Sequence, residues 1–296
     1  MIDLHIHSTC SDGMLSPHKI IDEAKNNGIL TISITDHDSV NAYTKETIDY
    51  AKQQGINLII GVELSTRALG VGFHVLGYNF EINDEIKDLL YVANNARHIY
   101  LDKVSKRLRE LGYVVNVDKL SQIKSVAKSH IANDIINNAL NSEILINNFG
   151  HIPTMGEFIE TIMNEGCPAF IEKPCITPNK ASEVIHMAGG KVVLAHPVAN
   201  VIEDDIHLDK IIDLAKEMQA DGLETYYHYY TKHGEKVDKC MEYTKIAKDN
   251  GFFVTVGSDF HNYHDALPNI GFTNTDLKLS SEEGKQIIES IKGIKK

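Results

Sequence analysis

The chain has 296 residues, with 29 Lys+Arg against 41 Asp+Glu and a formal charge of −12 at pH 7. That surplus of acid argues against non-specific binding to long duplex nucleic acid or an anionic membrane, both of which need a net basic surface. Hydrophobic residues at 43% and charged residues at 24% are the balance of a chain that buries a core, not of a disordered one.

No apolar run approaches the roughly 20 residues of a membrane-spanning helix. Met1-Ile2-Asp3-Leu4-His5 sets no basic segment ahead of an apolar one, so no secretion leader is expected and the chain is assigned to the cytoplasm. Cys10, Cys167, Cys175 and Cys240 form no Cys-x-x-Cys pair and read as reduced thiols. The unusual component is histidine, present 15 times, the side chain that most often binds transition metals.

Ile2, Leu4 and Ile6 alternate with Asp3, His5 and His7, so a strand is expected with both histidines on one face. Ser16-Pro17 then starts a helix through Ile20, Ile21 and Ala24, stopped by Gly28. A strand from Leu30 to Thr35, the polar turn Asp36-His37-Asp38-Ser39 and a helix ending near Gly55 follow. Strands from Asn57 to Leu64 and Gly72 to Tyr78 come next. From about Asn83 the spacing is helical, and a mostly helical stretch continues to about Pro178, broken at Asn147-Asn148-Phe149-Gly150 and Glu165-Gly166-Cys167-Pro168. Residues 96–178 are therefore read as a helical insertion, covering the active site, in a domain made of 1–95 and 179–296. Strand-helix alternation resumes with a strand Lys191 to Ala195, a helix His207 to Ala220 and a strand Gly222 to Tyr227. A helix from about Lys232 to Asn250 and a strand Phe252 to Gly257 complete it. The class is α/β with a parallel sheet, and about seven strands suit a distorted (β/α)₇ barrel.

Metal-type residues gather at the C-terminal ends of these strands, where such barrels build active sites. They are His5, His7, Asp12, His37, Glu63, His74, His196, Asp259 and His261. Imidazoles with carboxylates and no thiolate suit Mn, Zn or Fe, and so many donors suit two or three divalent ions sharing carboxylates. An isolated His-x-His is equally the signature of packed histidines, and Ser11-Asp12-Gly13 is an ordinary turn sequence. Their companions shift the weight to ligation.

Taken in order, His-x-His, the loop acid, Thr-Asp-His, Gly-x-Glu, Phe-His-x-Leu-Gly, Ala-His-Pro and Gly-Ser-Asp-Phe-His resemble the PHP (polymerase and histidinol phosphatase) metal-dependent phosphoesterases. The resemblance covers residues 1 to about 80 and 186 to about 262. It implies the PHP barrel, a two- or three-metal centre with Glu63 bridging, and hydrolysis of phosphate monoesters by in-line attack of a metal-bridging hydroxide. His196, His130 and Lys128 are placed among the catalytic groups. The branch with the nearest pattern acts on nucleotides, either nucleoside 3′,5′-bisphosphates and 5′-monophosphates or the 5′ ends of short RNA. Histidinol-phosphate members tend to carry a histidine where this chain offers Asp12. The nucleotide branch has a Gly-Arg-Pro-His-like motif where Ala127-Lys128-Ser129-His130 stands here. Lys128 and His130 are thus the expected contacts to substrate phosphate, with Lys128 lacking the bidentate fork of Arg. The partner expected is a small phosphorylated molecule, and the oligomeric state stays open. The competing readings are a histidinol-phosphate or other small-metabolite phosphatase, a non-catalytic PHP scaffold, and an amidohydrolase-like enzyme, in which a lysine commonly occupies the Glu63 position.

Overall fold

The computed structural model describes residues 1–123, 126–172, 174–231, 235–263, 268–271 and 279–293. The chain divides into two compact units, Met1–Leu90 with Ile176–Lys296, and Tyr91–Cys175. Among the described residues no helix is long and apolar enough to cross a membrane.

The first unit is built on a seven-stranded sheet in the order β1 (Ile2–Ile6), β2 (Thr31–Ile34), β3 (Asn57–Ala68), β4 (Val71–Tyr78), β5 (Lys191–Leu194), β6 (Gly222–Tyr226) and β9 (Phe253–Val256). Its two edges meet. Ile6 bridges Phe260 in parallel, His7 N donates to Phe260 O at 2.9 Å and Asp259 N to His5 O at 2.8 Å, curling the sheet into a barrel. All five residues of β1 are buried, because a barrel strand has an inner face and a helix-covered outer face. The first two helices, α1 (Pro17–Asn26) and α2 (Lys45–Gln54), follow their sequence signals. Ser16 Oγ accepts from Lys19 N, and Ile20, Ile21 and Ala24 are buried.

Two expectations change. The sheet is not wholly parallel, since β3 runs past Leu64 into a hairpin and β4 lies antiparallel to both β3 and β5. The short Leu69-Gly70 turn leaves no room for a crossover, so only an antiparallel return is possible. The helix expected from Lys232 begins at Cys240 and runs over Cys240–Asp249; Lys232 itself lies outside the described residues. Before it, β8 (Lys236–Asp238) pairs with β7 (His228–Tyr230), and Asp238 Oδ1 accepts from Cys240 N, ending the strand and starting the helix. A short helix, Pro197–Glu203, directly follows His196, its proline at the first helical position.

At the barrel's other end, Asp221 accepts from Lys191 Nζ at 2.6 Å, Val192 N at 2.9 Å and His186 Nε2 at 2.8 Å. Burial opposes its charge, but these donors outweigh that and hold the carboxyl below its usual range. A depressed carboxylate contributes stability that is present above its unfolded pKa of about 4 and is lost as pH falls through the lower folded value. Asp221→Ala is therefore expected to cost about 1–3 kcal/mol at neutral pH and clearly less near about pH 3. Thermal unfolding of both proteins at the two pH values checks this, and equal losses at both would refute it.

The second unit is helical. It contains the end of α3 (Asp84–Glu110), then α4 (Val117–Ser121), α5 (Lys128–Ile136), α6 (Ser142–Phe149), α7 (Met155–Phe158) and a π-helical turn Ile159–Met163. It has its own core, in which Tyr100, Val104, Leu108, Ile131, Leu145, Phe158 and Met163 are buried. Lys128 is the first residue of α5; its Nζ donates to Asn164 Oδ1 at 3.1 Å and lies 6.0 Å above the Phe170 ring. His130, two residues on, is exposed, and its Nδ1 accepts from Ala127 N at 3.1 Å, which leaves the ring proton on Nε2.

Candidate metal centre

The barrel mouth gathers its polar groups around one side chain. Glu63, 1% exposed, lies within ion-pair distance of five imidazoles. Its Oε1 is 3.0 Å from His74 Nδ1 and 3.2 Å from His196 Nε2. Its Oε2 is 3.3 Å from His5 Nε2, 3.2 Å from His7 Nε2 and 3.1 Å from His37 Nδ1. Asp259 Oδ1 stands 3.3 Å from His5 Nε2 and 3.1 Å from His7 Nε2. Asp12, more exposed, is 3.5 Å from His7 Nδ1 and from His261 Nε2, and 3.9 Å from His37 Nε2. The structure thus brings together all nine residues singled out in the sequence.

Position follows from strand direction. His5, His37, His196 and Asp259 lie at or just beyond C-terminal strand ends, Glu63 lies midway along β3 where His37 bridges it, and His74 lies in the first half of β4, which runs the opposite way. Gly257 is required where β9 approaches β1, since a Cβ there would run into His5 Cβ and Glu224 Oε1. His196 and Asp259 hold φ of 23° and 53°. Such left-handed, non-glycine conformations cost about 1–3 kcal/mol each and are characteristic of functional sites.

The donors form three overlapping sets whose ligand atoms lie within 4.8 Å of one another: His7, Asp12, His37 and His261; His5, His7, Glu63 and Asp259; His37, Glu63 and His74. Glu63 Oε2, His7 Nδ1 and His37 Nδ1 are buried without a hydrogen bond. Their short separations without hydrogen-bond geometry mean that lone pairs point past one another at shared centres. Leaving buried polar atoms unpaired costs about 1–3 kcal/mol each, a cost that divalent cations at those centres would remove. An all-imidazole and carboxylate donor set, without thiolate, fits such cations.

Charge agrees with this fit. Burial opposes ionisation of Glu63 and Asp259, but the surrounding imidazoles, His5 foremost, outweigh it and hold both carboxyls well below their usual range. Burial, with His7 and His74 nearby, lowers His37 to about 4, so it is neutral and free to donate a lone pair at pH 7. For His5 burial is opposed and exceeded by Glu224, Glu63 and Asp259, and for His7 by Asp12, Asp259 and Glu63; both are held well above the usual histidine value. Ligation needs the neutral imidazole, so binding of cations at His5 and His7 would be coupled to loss of protons.

Two supporting residues escaped the sequence reading. Glu224, buried, lies with both oxygens 2.9 and 3.1 Å from His5 Nδ1 and also accepts from His196 N at 2.9 Å. It turns Nε2 of His5 toward the cluster, the usual service of a carboxylate behind a metal-bound imidazole. The clue was available: Glu224 is the one charged residue in β6, Gly-Leu-Glu-Thr-Tyr. Tyr227, whose Oη donates to Asp259 Oδ2 at 3.3 Å, left no such signal. Asp36, in the polar turn after β2, accepts from Ser8 N, Ser8 Oγ and Ser11 Oγ, each at 2.7 Å, and fixes the loop that carries Asp12. Elsewhere His228, Asp238 and Cys240 also bring their donor atoms within 4.8 Å, but burial pushes the Cys240 thiol up to about 12 and it keeps its proton.

A seven-stranded barrel with overlapping His and carboxylate sets at its mouth defines a metal-dependent hydrolase. The comparisons narrow that class. The PHP domain model matches residues 3–186. A 5′-3′ exoribonuclease of Haemophilus influenzae is 30% identical over 262 residues, 88% of this chain and 89% of that protein. A 3′,5′-nucleoside bisphosphate phosphatase of Chromobacterium violaceum is 24% identical, covering 92% of this chain and 91% of that one. A solved structure from Bifidobacterium adolescentis, assigned as a metal-dependent phosphoesterase, shares the fold, with a TM-score of 0.61 and 21% identity over 98% of this chain and 96% of that one. This chain belongs to the PHP domain family and is a metal-dependent phosphoesterase, a hydrolase of phosphoric esters.

Proposed function

We propose that the chain hydrolyses phosphate monoesters of nucleotides, either nucleoside 3′,5′-bisphosphates and 5′-monophosphates or the 5′ ends of short RNA. The observation that carries this is Glu63, a single buried carboxylate shared by five imidazoles, the arrangement of a carboxylate that bridges cations. His5, His7, Asp12, His37, Glu63, His74, His196, Asp259 and His261 would hold two or three Mn, Zn or Fe ions. Such ions, when bound, supply positive charge to phosphate oxygens and a nucleophile ionised at neutral pH. The chain's own groups orient and polarise. Glu224 fixes the tautomer of His5, and His196, just beyond the end of β5, is the proposed side chain to meet the reacting phosphate. Lys128 and His130 are the proposed phosphate contacts; they stand at the N-terminus of α5, where backbone N–H groups favour an anion. The names of the relatives support the nucleotide class.

The test is phosphate release by Mn²⁺-loaded protein from adenosine 3′,5′-bisphosphate, 5′-AMP, 5′-phosphorylated short RNA and histidinol phosphate, with Asp259→Asn as control. Turnover of a nucleotide substrate, lost in the control, is expected. Turnover of histidinol phosphate alone would overturn the nucleotide class.

A further inference from the structure

The first unit contains a cleft of about 420 Å³ that begins at the metal centre and leads away from it. Asp12, Asp259 and His261 supply part of its lining, and Tyr227, Tyr229 and Tyr230 another part. Ligand clefts of about 300–1,000 Å³ accept small organic molecules, so this one is large enough for more than a phosphate.

Its chemistry selects among them. No Lys or Arg is among the described residues that line it, and Glu203, which accepts from Tyr229 Oη at 2.8 Å, adds a carboxylate. A second phosphate would meet Glu203 with no lining cation to offset it. A neutral aromatic group meets phenol rings instead. Tyr227 is held in place, its hydroxyl on Asp259 and its ring 5.3 Å from that of His196. Tyr229 packs with Val198 and Tyr243 in a small core of its own, leaving Tyr230, half-buried at the end of β7, as the more adaptable face. Asn262 adds an amide able to donate and accept at a base edge.

We infer that this cleft seats the uncharged nucleoside of the substrate, with the base against Tyr230 and Tyr227 and the ester oxygen directed to the Asp12–Asp259–His261 end. The inference rests on the nucleotide reading above. It makes the tyrosine-bearing ribbon a determinant of substrate choice that is separate from the phosphate contacts.

Adenosine, which has no phosphate to lose, is the probe. It is expected to compete with 5′-AMP in the Mn²⁺-loaded protein. Tyr230→Ala should lower the ratio of kcat/KM for 5′-AMP over glycerol 2-phosphate about ten-fold or more, since stacking on an aromatic ring contributes on that scale. Tyr230→Phe, which keeps the ring, should restore most of the ratio. An unchanged ratio in Tyr230→Ala, or adenosine that does not compete, overturns the inference. If neither ester is hydrolysed, the phosphoesterase-on-nucleotide reading fails instead. Calorimetric titration with adenosine then decides the cleft by itself: binding weakened by Tyr230→Ala supports it, and no binding rejects it.

Discussion

Glu63→Gln is expected to reduce turnover by more than about 100-fold and to lower the number of tightly bound divalent ions by at least one. The size of the effect follows from the position of the carboxylate. Partners one step removed from a metal typically change affinity or activity 10–100-fold, and Glu63 would touch the cations themselves. The amide keeps the volume of the side chain but removes the negative charge that five imidazoles surround, and it turns an NH₂ donor toward nitrogens that need an acceptor. Turnover and metal content after gel filtration, with circular dichroism to show that the barrel persists, make the measurement. A variant that keeps its full metal content and its rate would remove the bridging role.

Glu224→Gln is expected to weaken metal binding about 10–100-fold while leaving more of the rate recoverable at high metal concentration. Glu224 contacts no member of the cluster except through His5 Nδ1 and the backbone N–H of His196. A glutamine can accept from one of these donors but presents an amide N–H to the other, so either the His5 tautomer or the His196 peptide loses its partner. Titrating activity against Mn²⁺ separates the two roles. A rightward shift of the metal dependence, with kcat largely restored at saturation, is the signature of positioning. A loss of kcat that metal does not relieve would place Glu224 in the chemistry itself.

The spacing of the motifs made the centre legible before any coordinates. A short strand that carries His5 and His7 on one face amid apolar neighbours calls for a reason, and the companion motifs supply it. The same histidine-rich strand ends recur with strand-length regularity, and barrel geometry sends strand ends to one face. Helix boundaries were legible where capping chemistry marks them, as at Ser16-Pro17 and Gly55. The β7–β8 ribbon was not. Lys236-Val237-Asp238 is too short for its alternation to compete with the helical spacing that follows, and its pairing with His228–Tyr230 crosses a gap in sequence.

Glu224 and Tyr227 mark the limit from the other side. Their partners lie 219 and 32 residues away, and only the curl of the sheet, closed through Ile6 and Phe260, brings them into contact. By itself the sequence determined the class of fold, the family and the identity of the nine clustered side chains, because these depend on residue type and local period. The tertiary structure alone decided the antiparallel direction of β4, the convergence of five imidazoles on one carboxylate, and the tyrosine-lined cleft beside it. Each of those is a relation between distant segments, set by closure of the barrel rather than by any local preference of the chain.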